Sequence, residues 1–178
     1  MVGAYCDFAR ITGMRLTFFV TPKYKSWTEN IPKLKPLVES GRIQLGNHTW
    51  SHPDLTKLST GQIQDELGRT GDFIQQNYGV DARPYYRPPY GYHDDHVHAA
   101  ASAIGYSKAV LWYGTLSDSG LITEQQVMQF ANTWILPQHI VIGHANFNPV
   151  THVFDQIRDL IHSRGLQPIT LDDLFLRT

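Results

Sequence analysis

Lys33-Leu34-Lys35-Pro36-Leu37-Val38-Glu39-Ser40-Gly41-Arg42-Ile43-Gln44-Leu45-Gly46-Asn47-His48-Thr49-Trp50-Ser51-His52 is the stretch on which the fold turns. Residues 33–40 read as a helix that stops at Gly41, residues 42–47 form a short β-rich run, and polar side chains follow at once. A helix, a glycine stop, a strand and a polar loop make one repeat of an α/β chain.

The same repeat extends outward in both directions. Towards the N-terminus, residues 4–12 read as a helix stopped at Gly13 and residues 15–21 as a buried strand. Towards the C-terminus, residues 59–78 form the longest helix: Ser59 and Gln62 can exchange bonds in a capping box, Ile63, Leu67, Ile74 and Tyr78 share one face, and Gly79 ends it. Residues 84–87 then read as a strand, 94–103 as a helix stopped at Gly105, 108–112 as a strand, 124–134 as a helix and 139–143 as a strand. A helix over 151–163 carries Val153, Phe154, Ile157, Leu160 and Ile161 on its apolar stripe, and a strand over 166–170 and a terminal helix over 171–176 complete the chain. Six strands joined by helical crossovers predict parallel pairing in a barrel or a doubly wound sheet, with function on the loops at the strand C-terminal ends.

The chain has 178 residues, which predicts one domain. Fifteen Lys and Arg against sixteen Asp and Glu argue against a nucleic-acid surface built on positive charge. No apolar run approaches the ~18 residues of a membrane span, and the opening residues lack the pattern of a signal peptide. A lone Cys6 forms no intramolecular disulfide. Nine His, four Trp and nine Tyr in a chain poor in charge point towards metal chemistry and a sugar-like or flat polar substrate.

His48 and His52 sit four apart directly after a strand, and neutral imidazole is the commonest metal ligand. Both rings can face one point if the loop makes a single helical turn; two surface histidines beside a capping Ser are the plain alternative. No Glu follows His48, so the HExxH pattern does not apply. Arg87-Pro88-Pro89-Tyr90-Gly91 follows the next strand as a rigid turn whose N–H groups can serve an oxyanion; an ordinary Pro-rich turn with a solvated Arg is its alternative. Trp112 and Asp118 follow another strand, and Ile142-Gly143-His144 ends the one after.

In this order the motifs resemble the polysaccharide deacetylase family, the NodB-homology or carbohydrate esterase family 4 domain, over essentially the whole chain. The resemblance implies a distorted (β/α) barrel forming a single domain over residues 1–178. It implies that His48 and His52 bind a divalent metal, usually zinc, and that Arg87 positions the catalytic base while the Tyr90 backbone N–H helps hold the oxyanion. Trp112 and Ile142 would line the acetyl pocket, Asp118 would orient His144, and His144 would act as general acid. The implied activity is hydrolysis of N-acetyl groups on amino-sugar polymers such as peptidoglycan or chitin, at the cell envelope or outside the cell. A non-catalytic carbohydrate-binding domain and an amidase acting on a non-sugar amide are the alternatives.

The family's first motif, an Asp pair on the first strand, has no counterpart here; Asp7 falls within the first helix and takes no such role. The resemblance therefore implies an N-terminally truncated domain lacking the third metal ligand and the base, with hydrolysis impaired and two strand edges exposed. Ser119 replaces a Trp common in the fourth motif, and Gly114 and Thr115 stand where relatives often carry an acid, so substrate preference stays open. His93, Asp94, Asp95, His96 and His98 fall outside the pattern; a charged helix start is the favoured reading and a second metal site the alternative.

Overall fold

The computed structural model of the protein describes residues 1–175. In chain order its elements are α1 (Val2–Thr12), β1 (Leu16–Val20), α2 (Ser26–Glu29), α3 (Ile31–Glu39), β2 (Ile43–Asn47), α4 (Thr60–Tyr78), β3 (Tyr85–Tyr86), α5 (Asp95–Ser102), β4 (Lys108–Ala109), β5 (Gly114–Thr115), α6 (Glu124–Trp134), β6 (Val141–Ile142), α7 (Pro149–His152), α8 (Phe154–Ser163) and α9 (Leu171–Phe175), with single 3-10 turns at Leu55–Lys57 and Pro89–Gly91. Two compact units result, one of Leu16–Leu111 with the segment from Thr170, the other of Met1–Arg15 with Trp112–Ile169.

The first of these units is a parallel sheet in the order β1-β2-β3-β4. Its longest ladder runs from Leu16 opposite Ile43 to Val20 opposite Asn47. β3 shrinks to two residues because Pro84 and Pro88 flank it and proline brings no N–H to a ladder. α4 starts as the sequence predicts: the Ser59 side chain accepts from Gln62 N–H and the Gln62 side chain reaches back to Ser59 N–H. Its end is equally local, with Gly79 at φ 76° taking the left-handed turn and donating to Gln75 O. Ile63, Leu67 and Ile74 are fully buried with Leu34, Ile43, Tyr85, Tyr86 and Val97 in the core of this unit.

The other unit holds the two-stranded parallel sheet β5-β6, with Gly114 opposite Val141 and Thr115 opposite Ile142. Its core gathers Met14, Leu116, Val127, Ala131, Val150, Val153, Ile157 and Ile161, with Phe8 and Phe154 stacked at 4.6 Å. Gly114 admits the Trp134 side chain, whose Cβ would stand 2.6 Å from any Cβ added there.

Three sequence expectations need correction. Residues 166–170 form no ladder among the described residues: Pro168 removes a donor from the middle of the run, and Ile169 is half exposed. The strand expected over 108–112 ends at Ala109; Val110 N–H still donates to Tyr86 O, whereas Tyr113 N–H donates to Ile140 O, so the chain changes sheets between them and starts the short β5, which the sequence did not suggest. The single helix expected over 151–163 is two, α7 beginning at Pro149 and α8 after Val153, where φ of −111° breaks the helix. Leu176, the last residue of the expected terminal helix, lies outside the described residues.

Candidate functional site

The loop after β2 is shaped by its own side chains. Asn47 is fully buried; its Oδ1 accepts from Thr49 N–H at 3.0 Å, its Nδ2 donates to Leu67 O at 2.8 Å, and its carbonyl accepts from Arg87 N–H at 2.8 Å. Thr49 and His52 have φ of 68° and 63°, a region that residues with a Cβ seldom adopt. Thr49 Oγ1 accepts from His52 N–H, and Thr21 Oγ1 donates to His48 O. Ser51 donates both its N–H and its Oγ–H to the Glu66 carboxylate.

Within this frame the His48 and His52 rings lie with centroids 4.8 Å apart at 84°. His48 Nδ1 is 2.7 Å from Arg87 O, and because a carbonyl only accepts, Nδ1 carries the proton and the lone pair is on Nε2. That is the arrangement of a metal-ligating histidine oriented by a backbone carbonyl. Two neutral imidazoles in one loop fit a borderline cation such as zinc. Among the described residues no third His, Cys, Asp or Glu joins them at one point.

His52 also meets the Tyr90 ring, with centroids 4.7 Å apart. Tyr90 stands at φ 60° between Pro89 and Gly91, a third strained non-glycine position in the same unit. Arg87 is held by a bond from Nε to Val110 O and by its guanidinium lying 4.1 Å from the centre of the Phe19 ring. Burial lowers its pKa to about 10, which leaves it charged at neutral pH. Gly46 makes room for that Phe19 ring, which a Cβ there would approach to 2.6 Å.

In the other unit Asp118 is 2% exposed and accepts three bonds from one residue, His144: backbone N–H to both oxygens and Nδ1–H to Oδ1, each at 3.0 Å. The imidazole is thereby fixed with Nε2 outward, and its side chain is 31% exposed. Gly143 lets this happen, because a Cβ there would meet Leu116 at 3.1 Å and Asp118 Oδ2 at 3.6 Å. Tyr5 lies beside the same point; burial first, and the charge of Asp118 second, push its pKa well above the usual value. Ile142 is buried in β6 opposite Thr115, and Trp112 is 38% exposed.

The structure thus brings His48, His52, Arg87 and Tyr90 together in one unit, and Asp118, His144 and Ile142 together in the other. Sequence reasoning missed the roles of Asn47, Thr21 and Glu66. For Glu66 a signal was available: a carboxylate among Ile63, Leu67 and Thr70 on the inward face of α4. The cluster after Arg87 is a helix start, as expected: Asp94 Oδ1 accepts from Val97 N–H at 2.8 Å. Beyond that reading, His98 bridges the buried Tyr86 hydroxyl and His93 at 2.8 and 3.0 Å.

The sequence profile of the polysaccharide deacetylase family matches residues 3–109. An uncharacterized 30.6 kDa protein of Geobacillus stearothermophilus is 29% identical over 174 residues, covering 96% of this chain and 64% of that protein. The peptidoglycan-N-acetylmuramic acid deacetylase PdaA of Bacillus subtilis is 36% identical over 104 residues, covering 58% of this chain and 36% of PdaA. Among solved structures, T48 deacetylase with substrate superposes with a TM-score of 0.84 and 28% identity over 98% of this chain and 84% of that one. The chain therefore spans about two thirds or less of the length of these two curated relatives.

Proposed function

Because the chain belongs to the polysaccharide deacetylase family, whose α/β fold of parallel strands it shares, we propose that it serves metal-dependent removal of N-acetyl groups from an amino-sugar polymer of the peptidoglycan or chitin kind. The observation that carries this reading is the bond from His48 Nδ1–H to Arg87 O, which ties the two-histidine loop to the RPPYG turn and orients a ligand ring. His48 and His52 would hold the divalent ion, zinc in most relatives, with a carboxylate that the family's first motif supplies. When bound, the ion supplies polarisation of the acetamide carbonyl and an acidified water.

The remaining roles belong to the chain's own side chains. Arg87, charged and desolvated, holds the carboxylate that takes the water's proton. Tyr90 N–H, presented by the strained turn, donates to the developing oxyanion. His144 carries a proton on Nε2 to the leaving amine, and Asp118 stabilises the imidazolium while keeping Nδ1–H towards itself. Trp112 and Ile142 enclose the acetyl methyl.

The test is acetate release from N-acetylglucosamine oligomers and from peptidoglycan fragments by the longest natural form of the protein. Zinc-dependent release that a chelator abolishes is the expected result; glycan binding with no acetate under zinc overturns it. That second outcome is the mark of a non-catalytic glycan-binding domain, a reading favoured by Tyr90 and Tyr92. Their rings lie 5.7 Å apart and 60% and 56% exposed, a surface on which sugar rings can stack.

A further inference from the structure

We propose that Glu66 is a positioning residue that sets the metal-binding geometry of His48 and His52; this rests on the reading of those histidines as ligands. The loop from His48 to His52 has two residues, Thr49 and His52, at φ of 68° and 63°. Such backbone persists only where surrounding bonds over-determine it. The two bonds that act at Thr49 and at His52 N–H are internal to residues 47–52. Internal bonds shape the loop without fixing it to the rest of the unit.

The start and middle of the loop are tied to the end of β1, by His48 N–H to Val20 O, Thr21 Oγ1–H to His48 O and Lys23 N–H to Trp50 O, and His48 also to Arg87 O; the bonds at Ser51, next to His52, go to α4 and to one residue there. Glu66 O accepts from Trp50 N–H at 3.1 Å, Glu66 Oε2 from Ser51 N–H at 2.8 Å, and Glu66 Oε1 from Ser51 Oγ–H at 2.7 Å. Asn47 Nδ2 adds a bond to Leu67 O on the same helix. The two Ser51 donors take one carboxylate oxygen each, whereas an amide would offer them one oxygen beside an NH2 group. Ser51 is the immediate neighbour of His52, so a loop released at Ser51 loses a backbone constraint that acts, beside the Tyr90 contact and the bond to Thr49, on the distance and angle of the His52 ring from His48. Glu66 touches neither imidazole in any bond described above; it acts through Ser51. Indirect partners of this kind typically change metal affinity by about ten- to a hundredfold.

Cobalt(II) is the probe, titrated into the 178-residue protein and followed by its visible absorption and by the imidazole nitrogen shifts of His48 and His52. The wild-type chain should bind one equivalent that His48→Ala and His52→Ala abolish. A wild-type chain without that equivalent overturns the ligand reading and the inference with it. Given that equivalent, Glu66→Ala should weaken cobalt binding roughly tenfold. Glu66→Gln should weaken it less, because one carbonyl oxygen remains for Ser51 N–H and the hydroxyl can turn to accept from the amide. Ser51→Ala should weaken it too, and the double variant should lose no more than Glu66→Ala alone. A merely structural Glu66 would lower the melting temperature while leaving cobalt affinity and the imidazole shifts of the folded protein unchanged, and that result overturns the inference. Should Glu66→Ala fail to fold, Glu66→Gln and Ser51→Ala decide by the same readouts.

Discussion

In the unit that holds His48 and His52, ring placement depends on a loop with two non-glycine residues in the left-handed region, tied through Asn47, Thr21 and Glu66 to its surroundings. In the unit that holds His144, one buried carboxylate takes three bonds from that single residue, and the left-handed residue nearby, Ser117 at φ 55°, adjoins Asp118 and not the ring. The difference matches the tasks proposed for them. A pair of ligands must agree in distance and angle, which a strained backbone with many ties can enforce. A proton donor needs one orientation and one charge partner, which a single aspartate provides.

The largest effect expected from this division is chemical. His144→Ala in the longest natural form should reduce acetate release by about a hundred- to ten-thousandfold with zinc binding intact. Turnover that survives the change would remove His144 from the proton transfer. Measuring zinc uptake on the same variant separates the two histidine sites, since loss of both together would show that they do not divide the work.

Packing offers the next contrast. Gly46→Ala drives a Cβ to 2.6 Å from a Phe19 ring that is itself pinned against Arg87, and should cost about 1–3 kcal/mol in urea unfolding. Gly143→Ala meets Leu116 Cδ1, a movable methyl, at 3.1 Å and should cost less. Equal losses would erase the difference between a tightly stacked and a yielding neighbour.

Smaller and deliberately matched are the two capping boxes, Ser59 with Gln62 on α4 and Thr123 with Gln126 on α6. Ser59→Ala and Thr123→Ala should each cost about 1 kcal/mol, with faster hydrogen exchange confined to the first turn of the altered helix. Exchange that accelerates in both helices from one change would mean that the units open together.

The smallest effect is alkaline. Burial pushes Tyr86 up to about 12 from its ordinary 10.0, so between these values the unfolded chain releases a proton that the folded chain keeps, and stability falls as pH rises. Tyr86→Phe should flatten that decline, and Tyr5→Phe, in the other unit and shifted further, should flatten it more. Tyrosinate absorbance read alongside unfolding checks both; an unchanged slope would show that these hydroxyls titrate normally.

Much of the architecture is legible in the amino-acid sequence. The capping box at Ser59, the stops at Gly13 and Gly79, the helix over 124–134 and the runs that become β1, β2 and β3 all depend on residues within a turn or on the composition of a short run. The ordered motifs ending in His52, Tyr90, Asp118 and His144 are readable as residue types. Their geometry is not. Residues 166–170 carry a strand-like composition, yet pairing needs a partner and a donor, and Pro168 offers none. Glu66 and Ser51 are 15 apart in sequence, Asp118 and His144 26, and His48 and Arg87 39. Sequence alone determined most of the helices, the runs that become the first strands and which side chains stand at their ends, because those signals act through neighbouring backbone groups. Tertiary structure decided which carboxylate braces the loop, which carbonyl orients His48 and where the sheet divides, because each of those bonds joins residues that only the folded chain brings within reach.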